Sequence, residues 1–235
     1  MQVEEALALW DEFPVRREPR PIVLMDAAIG PGQLPRIEDR ERVLGVRPVV
    51  SDVELPPGLL DRLQPMHPDD SDPVRVTKVR LVSPEFRTDR GHRPLPAYRL
   101  ELAERVPRTR AGGGAVTLLM LDAWTESRMW WPEGLSTRWR GGSPGMSASM
   151  LMDGGRTIRL LFGGSLPSYA AVRVRAVHES STAVLVEIEE VPYRPGSPVP
   201  LALAGRMVVV RLPRPLGGRV LVHAGGLPVE VTAAG

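Results

Sequence analysis

The chain predicts a mainly β fold, and three observations carry that expectation. From residue 156 onward, six apolar runs of strand length follow one another at short intervals, divided by Gly, Pro and Ser turn signals. That cadence suits an antiparallel sandwich. Around Glu85–Tyr98 (EFRTDRGHRPLPAY), two further β-like runs meet at a turn crowded with charge, glycine and proline. The clearest helical stripe is short and N-terminal. The expected architecture is therefore an antiparallel β-sandwich-like C-terminal half and a β-rich N-terminal half with a short N-terminal helix. The domains divide as 1–145 and 146–235, with the boundary in the glycine-rich segment 141–149.

The N-terminal helix follows from Val3, Ala6, Leu7, Trp10 and Phe13, which share one face before Pro14 stops the run. Pro21–Asp26 is a candidate buried strand, and 27–35 is a Gly/Pro loop. Ile37–Leu44 allows one or two helical turns, and Pro56, Pro57, Leu59, Leu60 and Leu63 suit a short helix opened by proline. Ahead of the central turn the apolar phase shifts between Val76 and Val79, which a one-residue bulge near Thr77 and Lys78 explains. Tyr98, Leu100 and Leu102 lead out at period two. Within the turn, Gly91 supplies a positive φ, Pro94 and Pro96 stiffen the chain, and Asp89 is placed to cap backbone amides. Ala115–Leu121 reads as a strand.

The later strands are 156–162, 171–178, 182–190, 205–212, 218–223 and 228–231. Val184, Val186 and Ile188 alternate with Leu185, Glu187 and Glu189, as Val172 and Val174 alternate with Arg173 and Arg175. Keeping both rows of valine and isoleucine in the core sets Arg173 opposite Glu189 and Arg175 opposite Glu187, across a loop at Ser180–Thr182.

With 235 residues and 43% hydrophobic content, the chain can bury a sizeable core. Nearly all its basic residues are arginine, and from residue 150 onward nine Arg stand against six Asp and Glu. Neither half is a basic arm, so nucleic acid is not an expected partner. The lack of cysteine excludes disulfides, thiolate metal sites and cysteine nucleophiles. MQVEEALALW carries acids where a signal peptide is positive, and no apolar run reaches spanning length, so a cytoplasmic protein without a membrane span is expected.

Three clusters carry side chains capable of chemistry. His67, Asp69, Asp70 and Asp72 are hard-metal donor types, but their spacing lacks the sixth-position glycine and twelfth-position acid of a calcium loop. A solvated turn is expected there, with no metal or cofactor. Trp124, Trp130, Trp131 and Trp139 fall within sixteen residues, beside Arg128, Arg138 and Arg140. They either present aromatic faces to a sugar or cation, or bury at the junction of the halves. In the central turn, Asp89 can orient His92 as a general base while Arg87 or Arg90 holds an anion. Asp122, Glu126 and Glu133 are the carboxylates near the tryptophans that a glycosidase would need. No serine elbow, HExxH, Walker loop or dinucleotide fingerprint is present.

TDRG followed by R-x-LPA-Y-R at 88–99, Glu179-Ser180 before an Ala-Val strand, and RPLGGRVLVHAGGLPVEV at 214–231 together resemble a group of uncharacterised actinobacterial β-rich proteins. The likeness covers most of the chain from about Pro19 onward. Several of the similar proteins look exported and cysteine-bearing, features this chain lacks. The group has no established activity, so the resemblance implies a β-rich fold and assigns no catalytic residue.

The function expected is that of a non-catalytic β-rich interaction or ligand-binding protein, taking a protein partner or a small ligand. The alternative is an enzyme whose site joins the 85–98 loop to the 124–139 segment and acts on a carbohydrate or an anionic small molecule.

Overall fold

The structure, a computed structural model, describes residues 2–25, 29–31, 47–65, 68–103, 116–133, 146–150, 153–194 and 203–232. In chain order the elements begin with α1 (Val3–Ala8), β1 (Ile29–Pro31), β2 (Val49–Ser51), α2 (Leu59–Leu63) and β3 (Val74–Val82). There follow β4 (Glu85–Thr88), β5 (Gly91–Pro94), β6 (Ala97–Leu102), β7 (Val116–Leu121) and α3 (Ala123–Ser127). The last are β8 (Met146–Met150), β9 (Thr157–Ser165), β10 (Ala170–Glu179), β11 (Ala183–Pro192), β12 (Leu203–Arg211), β13 (Val220–Val222) and β14 (Glu230–Thr232). The protein is mainly β, as its turn cadence predicts.

The chain falls into two compact units, and neither is a contiguous half. The larger comprises Met1–Asp26, Phe86–Arg93 and Arg128–Gly235; the smaller comprises Ala27–Glu85 and Pro94–Ser127. This differs from consecutive domains meeting at 145, and residues 141–145 lie outside the described residues. Backbone pairing explains the difference. Met25 N–H donates to Arg87 O at 2.9 Å, Asp89 N–H to Val23 O at 3.0 Å, and Val231 N–H to Asp89 O at 3.1 Å. These bonds draw the N-terminal segment and the tip of the central turn to the C-terminal strands.

In the smaller unit one sheet runs in the order β1-β7-β6-β3-β2. The expected bulge is there: Val76 pairs with Leu102 and Lys78 with Glu101, with the register shifting between them. The shift keeps Val76 in the core, with Val79 packed against it, although the two are three residues apart. Leu59 and Leu63 of α2 close over Val49, Val74, Leu100 and Leu118. Its helical residues start at Leu59, after Gly58 at φ +72°, later than the prolines suggest.

The larger unit is a sandwich of two sheets, β10-β11-β13 and β12-β9-β8-β14. Ala148, Ile158, Leu160, Val210 and Val231 of one sheet meet Val184, Val186 and Leu221 of the other in a common core. Two of its pairings are parallel, β11 with β13 and β8 with β14, where antiparallel ones are expected. On its other side, β11 and β13 present Ala183, Leu185, Val220 and Val222 to Ala6 of α1 and to Trp10 and Phe13, which are buried in the turns after a helix that ends at Ala8, short of the stripe's end at Phe13. Leu185, expected on a wet face, is covered by this helix.

The β10–β11 hairpin corrects one expectation. Arg173 does face Glu189, and their side chains pair at 3.0 Å. Arg175, however, faces no residue of β11: Val174 pairs with Ile188 and Ala176 with Glu187, so Arg175 is the extra residue of a bulge. Beyond it Val177 pairs with Val186, and Glu179 faces Val184 instead of Ala183. Val174 and Val177 both pack on the core, and three residues cannot separate two core positions on a regular strand.

Candidate functional site

The central turn folds as a clasp. Gly91 has φ +83°, as a tight turn at this glycine requires. Capping falls to Thr88, whose hydroxyl accepts from Arg90 N–H at 3.1 Å and donates to Gly91 O at 2.7 Å. The buried Asp89 carboxylate, expected to cap amides or to orient His92, instead pairs with Arg20 at 2.6 Å and lies 3.7 Å from Arg90. Arg20 also donates to Gly218 O at 2.8 Å and stacks over the Phe13 ring. Exposed His92 has its Nε2 3.8 Å from Glu230, whose other oxygen holds Arg87 at 2.5 Å. The Asp89–His92 acid–base pair is thus not formed, because each member faces a different partner.

Arg90 is likewise engaged within the protein, its Nη2 donating to Gly217 O and Arg219 O, each at 2.7 Å. Burial pushes its pKa down to about 10, against the pull of Asp89, so it stays charged at neutral pH. Buried Arg219 reaches Pro215 O at 2.7 Å and Glu179 at 3.2 Å, and Arg214 meets the same carboxylate at 2.7 Å. Burial raises the Glu179 pKa, but these two arginines outweigh it and hold the carboxyl below its ordinary range.

The aromatic and acidic candidates separate. Trp130 lies 5.4 Å from Trp10 and 5.1 Å from Phe13, centroid to centroid, and Trp131 lies 6.3 Å from Trp10. Both are half-buried parts of the α1 core in the larger unit. Trp124 belongs to α3 of the smaller unit and is 65% exposed; Trp139 lies outside the described residues. Asp122 caps α3 by accepting from Thr125 N–H at 2.5 Å, and Glu126 pairs with Arg62. Asp69 is engaged by Ser71, whose hydroxyl donates at 2.6 Å. Asp70 and Asp72 are exposed, and His67 lies outside the described residues. Among the described residues no group of three or more metal-type ligands forms, and no helix is long and apolar enough to cross a membrane.

What sequence reasoning missed is the outer face of β9 and β12. Ile158, Leu160 and Val210 fill the core. The alternate residues Leu161, Met207 and Val209 are 44%, 55% and 53% exposed. Leu161 sits directly opposite Met207, and Val209 opposite Arg159, so the apolar side chains are contiguous. Arg159 and Arg211 are exposed on the same face, and among the described residues no carboxylate pairs with either. Next to this strip Gly163 faces Gly205, and the missing side chains leave a depression of about 350 Å³. Arg87 and Arg206 stand at its rim. The signal was present in Leu160-Leu161-Phe162 and in Met207-Val208-Val209-Val210, apolar at both parities where a half-wet strand alternates.

A second opening of about 370 Å³ lies where β13 leaves β11, lined among others by Arg175, Glu187, Glu189 and His223. Its carboxylates are engaged, Glu187 by His178 at 3.1 Å and Glu189 by Arg173 at 3.0 Å. His223 Nδ1 accepts from Gly225 N–H at 2.6 Å, and burial lowers the ring's pKa. No protein-family model, curated protein or solved structure matches the chain.

Proposed function

We propose that the protein is a non-catalytic interaction protein that docks a protein partner on the outer face of β9 and β12. The observation that carries this is the directly opposed pair Leu161 and Met207, extended by Val209, all large and apolar and all about half exposed. Holding about half of each such side chain in water forgoes about 1 kcal/mol of burial for each, half of what full burial brings. Contiguous exposed apolar surface with a polar rim is characteristic of interaction sites. The engagement of Asp89 by Arg20 and of Arg90 by backbone carbonyls supports a non-catalytic reading of the central turn.

A photoreactive phenylalanine analogue at position 207 or 209, introduced in the cells that make the protein, tests the reading. Discrete crosslinked species are expected there and not from position 193, an exposed tyrosine away from this strip. An added Leu161→Glu change should remove them. Equal crosslinking from position 193, or adducts indifferent to Leu161→Glu, would overturn it.

A further inference from the structure

The charge on this face says what kind of partner fits it. Arg159 stands across from Val209, and Arg211 follows two residues along the same strand face. Arg206, at the parity of Val208 and Val210, faces the other way and spends donors on Ser165 O at 2.5 Å and Ala170 O at 3.0 Å. Among the described residues neither Arg159 nor Arg211 is in ion-pair contact with a carboxylate, whereas Arg87, beside the depression, is paired with Glu230. The face is therefore apolar and cationic together, carrying the positive charges of Arg159 and Arg211 beside Leu161, Met207 and Val209. A second copy laid symmetrically on the same surface would oppose arginine to arginine, which costs binding energy.

Resting on the docking reading above, we infer that the partner segment is acidic and apolar at once. Its carboxylates meet Arg159 and Arg211, and a bulky apolar side chain enters the depression over Gly163 and Gly205. Neither glycine has anything within 4 Å of where a Cβ would stand, so that space is open to an incoming group. Arginine suits the task because its planar fork binds carboxylates bidentately and its weak hydration lets it sit beside apolar surface.

The test is selection of displayed random twelve-residue peptides on the full chain, followed by binding of the winners to variants by fluorescence anisotropy. Enrichment of Asp and Glu together with Leu, Ile, Phe or Trp is expected. Binding should weaken at least tenfold in Arg159→Glu/Arg211→Glu, and also in Leu161→Ser/Met207→Ser, and should fall with added salt. All four positions are exposed except for part of each apolar side chain, and an unchanged melting temperature confirms that the variants fold. Enrichment of apolar peptides without acids, indifferent to the arginine changes but lost with the apolar ones, would overturn the acidic partner and leave the docking face standing. Peptides indifferent to both pairs of changes would overturn both. Self-association lost in Leu161→Ser/Met207→Ser would make the occupant a second copy. Sedimentation with phosphatidylglycerol vesicles but no peptide selection would make it a lipid surface. Either result overturns the proposal.

Discussion

At the scale of single residues, the side chains that look most reactive are the ones that hold the fold. Asp89 is 2% exposed and bound by Arg20 at 2.6 Å, so removing its charge leaves a guanidinium with its partner gone. Asp89→Asn should cost about 3 kcal/mol in urea unfolding, the penalty for breaking a largely buried pair. Exposed His92→Ala should stay within about 0.5 kcal/mol of the parent. A second residue-scale prediction concerns acid. Burial lowers the His223 pKa from its ordinary 6.5, so the unfolded chain takes up that proton first as pH falls. The stability tied to the neutral ring is complete above pH 6.5 and is lost as pH drops through the lower folded value. Protonation also ends the acceptor role of Nδ1 toward Gly225 N–H. The melting temperature should fall between pH 8 and 5.5, and less so in His223→Gln. Asp89 was legible as a notable residue, but not its role, because Arg20 stands 69 positions away in sequence. The segments TDRG and RPLGGR meet through Arg90 and the carbonyls of Gly217 and Arg219. Their conspicuous arginines and glycines are the parts of one clasp.

At the scale of elements, helix α1 holds more than its six residues suggest. Trp10 is fully buried, touches Phe13, Trp130 and Trp131, and donates from Nε1 to Gly226 O at 2.8 Å. Trp10→Ala should cost about 3–5 kcal/mol, since the cavity adds to the lost burial. The apolar stripe made this helix legible. The bulges were legible by the same logic, applied unevenly. The phase slip from Val76 to Val79 points to the bulge at Thr77. The equal slip from Val174 to Val177 points to Arg175, where a regular hairpin was expected from the charge pairs alone. Deleting Arg175 should therefore be mild, lowering the melting temperature by a few degrees, about 1 kcal/mol, because Val174 and Val177 then fall two apart. Deleting Val174 instead removes a side chain from the core row itself and should cost more.

At the scale of the whole molecule, the non-contiguous units make a sharp prediction about fragments. A chain of residues 146–235 lacks α1, Asp89 and Arg87, hence the helix over Leu185 and Val222 and the partner of Glu230. It should show no cooperative unfolding transition by calorimetry, whereas two consecutive domains would leave this half folded. What the sequence determined by itself was local: strand class, the N-terminal stripe, the need for bulges and the positive φ at Gly91. Each follows from periodicity or sterics within a few neighbouring residues. Tertiary structure decided that β13 and β14 pair in parallel with strands far back in the chain, that Arg20 claims Asp89, and that Leu161 and Met207 face outward while Leu160 and Val210 face in. Apolar runs with no alternation satisfy either orientation equally well, and only the helix or sheet that arrives to cover one side selects which side becomes core.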